Sequence, residues 1–270
     1  MKDLGKASRI LGMDIVWDRE AGTLILSQQK YLEKVLRTFG MFEAKSVVTP
    51  TASHFKLQSL HPKERAEEYE YMKNLPYASV VGSLMYAMIG SRPDLGFAVG
   101  LISRFMSHPS REHWEAAKWV LRYVRGAYDM CLTFRRSSDF SIEGYSDSDY
   151  STDLDKRRSV SGIVFKFGGN TVSWKSGLQS VVALSTTEAE YMALTLAVKE
   201  AIWLRGICTE MGFEQNSITK EVELPERKGK HTKWWGFNCR VQPMLNQHIE
   251  FEIQRSEGKE GELIQDNGIS

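Results

Sequence analysis

The stretch Ser185-Thr-Thr-Glu-Ala-Glu-Tyr191, with the apolar run behind it, constrains the fold more than any other. Ser185 followed by Glu188 is the Ser-x-x-Glu pattern of a helix start, in which the hydroxyl and the carboxylate satisfy backbone N–H groups that have no partner inside the helix. From Ala189 to Leu204 nearly every residue is apolar, including Met192, Leu194, Leu196, Val198, Ile202 and Trp203, which predicts a helix buried on most sides. Glu188 fits the capping role and Glu190 does not. A carboxylate in the first turn either complements the helix dipole or faces a cation, and spacing does not choose between the two.

About forty residues earlier stands Glu143-Gly-Tyr-Ser-Asp-Ser-Asp-Tyr150, which reads as a short strand ending in carboxylates. Strand side chains alternate, so Asp147 and Asp149 share a face with Tyr145, their Cα atoms roughly 6.5–7 Å apart. Two anions so close are tolerated best with a cation or a basic group between them. The competing reading is an Asp-rich turn, which suits Asp153 and Asp155 better. If the strand tip meets the helix start, their acids form a site for divalent cations.

The remaining sequence fits a folded chain around such a site. Its 270 residues, 42% hydrophobic and 11% aromatic, suffice for one large or two modest domains. A net charge of +1 gives no bulk signal for nucleic acid, so such a partner must be sought in local patches. Cys131, Cys208 and Cys239 are scattered without metal-ligand spacing, which points to a reducing compartment and away from zinc. Met1-Lys-Asp-Leu-Gly-Lys6 lacks the apolar core of a signal peptide, and the densest apolar run, Ala78 to Ile89, is too short to cross a bilayer. The expectation is a soluble intracellular protein, cytoplasmic or nuclear, without a membrane partner.

In chain order, Ile10–Val16 and Thr23–Leu26 read as a hairpin, and Ser27 as the cap of a helix carrying Tyr31, Leu32, Val35, Leu36 and Phe39 up to Gly40. Between residues 41 and 76 the pattern dissolves into an exposed linker, with a charge run from Lys63 to Glu70 that suits a short solvated helix. Residues 77–130 are dense helix: Ala78 to Ile89, then a helix opened by Pro93 and running to about Met106, then one capped by Ser110 and ended by Gly126. Strands follow at Cys131–Phe134, Phe140–Asp147, Ser161–Phe167 and Thr171–Lys175, the last two about the turn Gly168-Gly-Asn170.

From Arg104 to Arg136 there are seven Arg or Lys residues against Glu112, Glu115 and Asp129. An isolated helix with such a run is usually just solvated. The functional reading is a track for phosphates, which binds without reading sequence, through Lys118, Arg122 and Arg125. Arg157 and Arg158, in Lys156-Arg-Arg158, either add to it or balance the neighbouring aspartates.

Several motifs together resemble one family. Ile10-Leu-Gly-Met-Asp-Ile15, Leu26-Ser-Gln-Gln-Lys-Tyr31, Val81-Gly-Ser-Leu-Met-Tyr86, Ser91-Arg-Pro-Asp94, Ser103-Arg-Phe-Met106, Leu121-Arg-Tyr123 and Ala183-Leu-Ser-Thr-Thr-Glu-Ala-Glu-Tyr191 are similar to the Pol polyprotein of copia-type LTR retrotransposons. The likeness runs almost unbroken from Met1 to about Phe213. It implies an α/β (α+β) chain in five parts: the end of a reverse transcriptase at 1–40, a linker at 41–76, a helical connection segment at 77–130, a truncated RNase H-like domain at 131–213, incomplete at its C-terminal side, and a divergent tail at 214–270. The implied RNase H-like fold is a mixed sheet with its first three strands antiparallel and a buried helix.

The resemblance also implies site roles. Asp147 is the first metal ligand, Glu190 the second and Asp149 an auxiliary acid, holding Mg²⁺ or Mn²⁺ for two-metal hydrolysis of the RNA strand of an RNA–DNA hybrid. The sequence departs from the family after Gly212. The third acid is expected on a strand there, yet residues 214–270 read as polar, irregular and in part disordered, with Asp266-Asn267 a faint likeness to the missing motif. The polymerase motif Tyr-x-Asp-Asp is absent from the chain, so reverse transcription is not expected of it. The expected activity is a weak or lost nuclease. The alternatives are a nucleic-acid-binding remnant without catalysis, or no function.

Overall fold

Leu11 and Gly12 both take left-handed backbone angles, φ 48° and 74°, and they break the first expected strand in two. Such a two-residue turn matches the twist of an antiparallel pair. The computed structural model describes residues 6–61, 65–215, 218–222, 237–243 and 249–255. In it β1 (Arg9–Ile10) folds back on β2 (Met13–Asp18), and β2 pairs with β3 (Thr23–Ser27). The turn before β3 is fixed by the Asp18 carboxylate, which accepts from the amides of Glu20 and Ala21. The fourth strand of this sheet, β4 (Leu132–Arg135), pairs antiparallel with β3 from more than a hundred residues away. The sequence places β4 with the second half, but its ladder bonds join it to the first sheet.

Helices α1 (Gln29–Thr38), α2 (Arg65–Met72), α3 (Tyr77–Gly90), α4 (Gly96–Ser103) and α5 (Arg111–Gly126) build the first half. The Ser27 hydroxyl accepts from the Gln29 amide at the start of α1, and Gly40 ends the turn beyond it at φ 67°. Pro93 opens a 3-10 turn, Pro93–Leu95, from which α4 continues only to Ser103, so this helix is shorter than expected. Ser110 caps α5 as expected, with His113 returning the bond to the Ser110 amide. Leu32, Leu36, Val80, Val81, Leu84, Ala98, Val99 and Leu121 are inaccessible at the centre. Each large apolar side chain buried this way contributes on the order of 1.5–3 kcal/mol before entropy is counted.

The stretch expected as an exposed linker is instead packed down. Leu57 is buried, Phe55 rests on the helical core, and Trp119 Nε1 donates to the Thr49 carbonyl at 2.9 Å. The charge run is not merely solvated either, because the Glu68 carboxylate accepts from the Arg111 amide at 2.8 Å and closes the start of α5. Charge counting along the chain could not show this, since the partner lies 43 residues away.

The second sheet is the one that matters for function. Its strands β5 (Ile142–Asp149), β6 (Val160–Phe167) and β7 (Asn170–Leu178) are antiparallel, with Gly168 and Gly169 supplying the two positive φ angles of the β6–β7 turn. Three strands from the tail, β8 (Ile218–Val222), β9 (Phe237–Pro243) and β10 (Ile249–Arg255), extend it to the order β10-β9-β8-β5-β6-β7, with β8 parallel to β5. Where the tail is described these strands replace the irregular chain expected, because an exposed β5 edge offers backbone partners whatever the side-chain pattern, and the rest of the expectation lies outside the described residues. The mixed sheet with three antiparallel strands is the α+β fold that the resemblance implies.

Helix α6 (Thr186–Glu210) lies across this sheet. It is not buried on most sides. A narrow stripe of Ala189, Glu190, Ala193, Ala197, Ala201, Leu204 and Cys208 packs inward, while Tyr191 and Trp203 are 59% and 58% exposed. Apolar content overstated burial because alanines at i, i+4 let the helix sit close to one sheet and leave its far side open. The halves meet where Trp174 Nε1 donates to the Met88 carbonyl at 2.9 Å and Asp155 accepts from the amide and hydroxyl of Ser59.

Candidate functional site

Strand alternation sorts the residues of β5. Ile142, Gly144 and Ser146 are buried, whereas Asp147 and Asp149 are exposed at the strand tip. The odd-numbered positions Tyr145, Asp147 and Asp149 line a groove of about 660 Å³ together with Pro93, Phe97 and Trp174. Cross-strand register explains its walls: Tyr145 pairs with Val164 and Val164 with Trp174, which makes one row across the sheet. Asp147 pairs with Gly162, whose missing side chain leaves open space beside the acid.

Glu190 reaches the same tip from the other side. The Ser185 hydroxyl accepts from the Glu188 amide and the Glu188 carboxylate from the Leu184 amide, so the first turn of α6 is fixed and the next acid is aimed at the sheet. Glu190 is buried, at 6% exposure, and its Oε1 accepts from the Ser148 hydroxyl at 2.8 Å and the Ser148 amide at 3.3 Å. That amide belongs to the peptide joining Asp147 to Ser148. The structure therefore brings the helix start to the strand tip, with Ser148 between Asp147 and Asp149 as the point of contact.

Other acids of the cluster serve the loop. The Asp153 carboxylate accepts from the Lys156 amide at 3.2 Å and lies 3.8 Å from Arg104, while Asp155 binds Ser59. Asp153 matches the turn-building role that the pattern suggests, whereas Asp155 instead ties the loop to Ser59, 96 residues away. Arg157 sits exposed at φ 57° and Arg158 is half-buried, with its carbonyl accepting from the Asp153 amide.

The basic run of α5 has partners on the protein itself. Lys118 pairs with Glu115 at 2.6 Å, Arg122 Nε donates to the Lys45 carbonyl at 2.7 Å, and Arg125 Nε donates to the Phe42 carbonyl. Arg104 and Arg111 face Asp153 and the pair Glu67 and Glu68. Much of the local excess charge thus holds the 41–61 segment and the 150s loop in place.

For a metal ion, the donors Asp147, Asp149 and Glu190 have the right chemistry, since Mg²⁺ takes carboxylate oxygens and is commonly held by one or two of them plus water and substrate phosphate. Among the described residues no group of three or more His, Cys, Asp or Glu side chains gathers closely enough to cage an ion. The described residues do not complete a two-ion site, and Ser148, which holds Glu190, alternates in the strand with Asp147 and Asp149, which line the groove. Asp266 lies outside the described residues. Sequence reasoning missed Ser148, Phe97 and Trp174; only the parity of Trp174 within its strand could have hinted at the groove.

Taken together, the fold is an α+β assembly of a helical segment and a mixed sheet with acids at one strand tip. The chain is 52% identical over 215 residues to the retrovirus-related Pol polyprotein from transposon TNT 1-94 of Nicotiana tabacum, a match covering 80% of this chain and 16% of that protein. It is 36% identical over 191 residues to the Pol polyprotein from transposon RE2 of Arabidopsis thaliana, covering 71% of this chain and 13% of that one. A 133-residue stretch is also 51% identical to the secreted RxLR effector protein 161 of Plasmopara viticola, covering 49% of this chain and 94% of that protein. The chain belongs to the family of copia-type, retrovirus-related Pol polyproteins of transposons, and it spans only a small part of the polyproteins' length. No family model matches it, and no solved structure does. Among the described residues no helix is long and apolar enough to cross a membrane.

Proposed function

We propose that this Pol segment carries an RNase H-like nuclease site, built to hydrolyse the RNA strand of RNA–DNA hybrids and weakened in this chain. The supporting observation is the seating of Glu190 Oε1 on the hydroxyl and amide of Ser148, the residue between Asp147 and Asp149. Asp147 and Glu190 hold the ion, and Asp149 is the auxiliary acid beside the groove. A Mg²⁺ or Mn²⁺ ion held there supplies Lewis-acid activation of water and charge neutralisation at the phosphate. The groove walled by Tyr145, Phe97 and Trp174 takes the nucleotide next to the cut. Arg157 and Arg158, with the outward groups of Lys118, Arg122 and Arg125, contact phosphates without reading bases.

The test is Mg²⁺-dependent cleavage of a labelled RNA–DNA hybrid by the chain and by Asp147→Asn. Slow cleavage that the substitution abolishes is the expected result. No cleavage, or equal cleavage by both proteins, removes the nuclease reading. The lack of a three-acid cluster among the described residues favours a second reading, a binding remnant without catalysis. It expects hybrid binding that falls steeply with salt and survives Asp147→Asn.

A further inference from the structure

We infer that residues 55–59 are a latch that sets the width of the groove at its acidic end, with the β7 edge as the hinge. The inference goes beyond the nuclease reading and holds whatever the groove takes. Neither half builds the groove alone: Pro93, Gly96 and Phe97 come from the helical half, whereas Tyr145, Asp147 and Trp174 come from the second sheet. Its width therefore depends on what holds the halves together.

Along β7 they are held by bonds and packing together. The Asn170 side chain accepts from the Arg135 amide at 2.7 Å and donates to the Arg135 carbonyl at 3.0 Å, as a neighbouring strand would. Trp174 Nε1 donates to the Met88 carbonyl at 2.9 Å, and Gly96 lies so close to β7 that a Cβ there would meet the Ser176 Cβ at 3.4 Å. The acidic end is held differently. Leu57 is buried and Phe55 packs on the helical core, which anchors the segment on that side. Two residues past Leu57, the Asp155 carboxylate accepts from the Ser59 amide at 2.9 Å and the Ser59 hydroxyl at 2.7 Å. Beside this tie Arg104 lies 3.8 Å from Asp153.

The loop that Ser59 holds follows β5 directly after Asp149, and it keeps its own shape. The Asp153 amide donates to the Arg158 carbonyl at 3.0 Å, the Arg157 amide to the Asp153 carbonyl at 2.8 Å and the Ser151 amide to the Ser159 hydroxyl at 3.1 Å. Releasing Ser59 thus moves the loop and strand tip as a body. Ser59 and Asp155 are both exposed, so water competes for their bonds and release costs little. Opening along β7 would strip packing as well as bonds. The acidic end therefore opens first, about the β7 edge.

The experiment measures distances between paired nitroxide labels by pulsed spin-resonance spectroscopy, in the full chain carrying Cys131→Ser and Cys239→Ser. One pair, Lys56→Cys with Lys156→Cys, spans the latch, and the other, Ile89→Cys with Val172→Cys, spans the hinge; all four positions are exposed. Adding Asp155→Ala or Ser59→Ala is expected to shift the latch distances to longer, broader values and to leave the hinge distances unchanged. Latch distances that neither substitution moves overturn the inference. So do hinge distances that lengthen alongside them, since the halves would then part as a whole. Should Asp155→Ala unfold, Ser59→Ala decides, because it removes one exposed hydroxyl and leaves Leu57 in the core.

Discussion

Both carboxylate oxygens of Asp94 are taken by the guanidinium of Arg92, two residues before it: Nε to Oδ1 at 2.8 Å and Nη2 to Oδ2 at 2.6 Å. Arg92 is 1% exposed, its Nη1 donates to the Ala127 carbonyl at 2.6 Å, and the Tyr123 hydroxyl donates to Asp94 at 2.9 Å. The pair therefore locks the turn between α3 and α4 to the end of α5. Removing one partner of a buried ion pair strands the other, at about 3–5 kcal/mol. Arg92→Ala is expected to lose about that much in urea unfolding, and Arg92→Met distinctly less.

The same pair sets an acid limit on stability. Burial pushes the Asp94 carboxyl up, but the Arg92 bonds and charge, with the Tyr123 hydroxyl, hold it below the ordinary carboxylate range. A depressed acid stabilises the fold above its unfolded value of about 3.9 and loses that contribution as pH falls towards the folded value. Asp94→Asn is expected to flatten stability against pH below about 4, as read by urea titrations across that range.

His113 governs a different window. Burial lowers its pKa from 6.5 to about 4, so the folded chain resists a proton that the unfolded chain accepts. Stability then falls as pH drops from about 6.5 towards about 4 and is flat above that range. Between pH ~7.5 and ~5.5 the loss from this group is about 1 kcal/mol. Denaturant titrations at the two values are expected to show that loss in the wild type and its absence in His113→Gln.

Gly144 lies under the ring of Phe165, and a Cβ at this position would come within 2.5 Å of a ring carbon. Phe165 is itself 1% exposed and cannot swing aside. Gly144→Ala is expected to destabilise the second sheet by about 1–3 kcal/mol through overpacking. Hydrogen exchange should rise in β5 and β6 and stay unchanged in α1 and α3.

Arg122 and Arg125 separate two roles that a charge count merges. Their Nε atoms hold the Lys45 and Phe42 carbonyls, and charge-assisted bonds of this kind contribute roughly 1.5–3 kcal/mol when protected from water. Alanine at either position is expected to speed proteolysis in the 41–61 segment. If these arginines also contact phosphates, each substitution lowers the salt slope of hybrid binding by about one, which fluorescence anisotropy across salt concentrations measures.

Local chemistry along the chain determined much of this protein. The caps at Ser110 and Ser185, the Gly168-Gly169 turn and the alternation that exposes Asp147 and Asp149 are all written in neighbouring residues, whereas of the two acids expected in the first turn of α6 only Glu188 lies there and Glu190 follows just beyond it. They are legible because each rests on bonds spanning only a few positions. The family resemblance suggested which acids would act together, and the proposal above takes that up.

Tertiary structure decided what neighbouring residues could not. β4 joined the first sheet, the tail lent β8 to the free edge of β5, and only one alanine stripe of α6 was buried. The arginines of α5 turned to carbonyls some eighty residues away, Ser148 bonded Glu190, and Gln179, just past β7, bonded the Ala189 carbonyl. Such contacts depend on which edges and faces remain open once the core has closed, and backbone donors and acceptors there bind whatever partner the fold brings within reach.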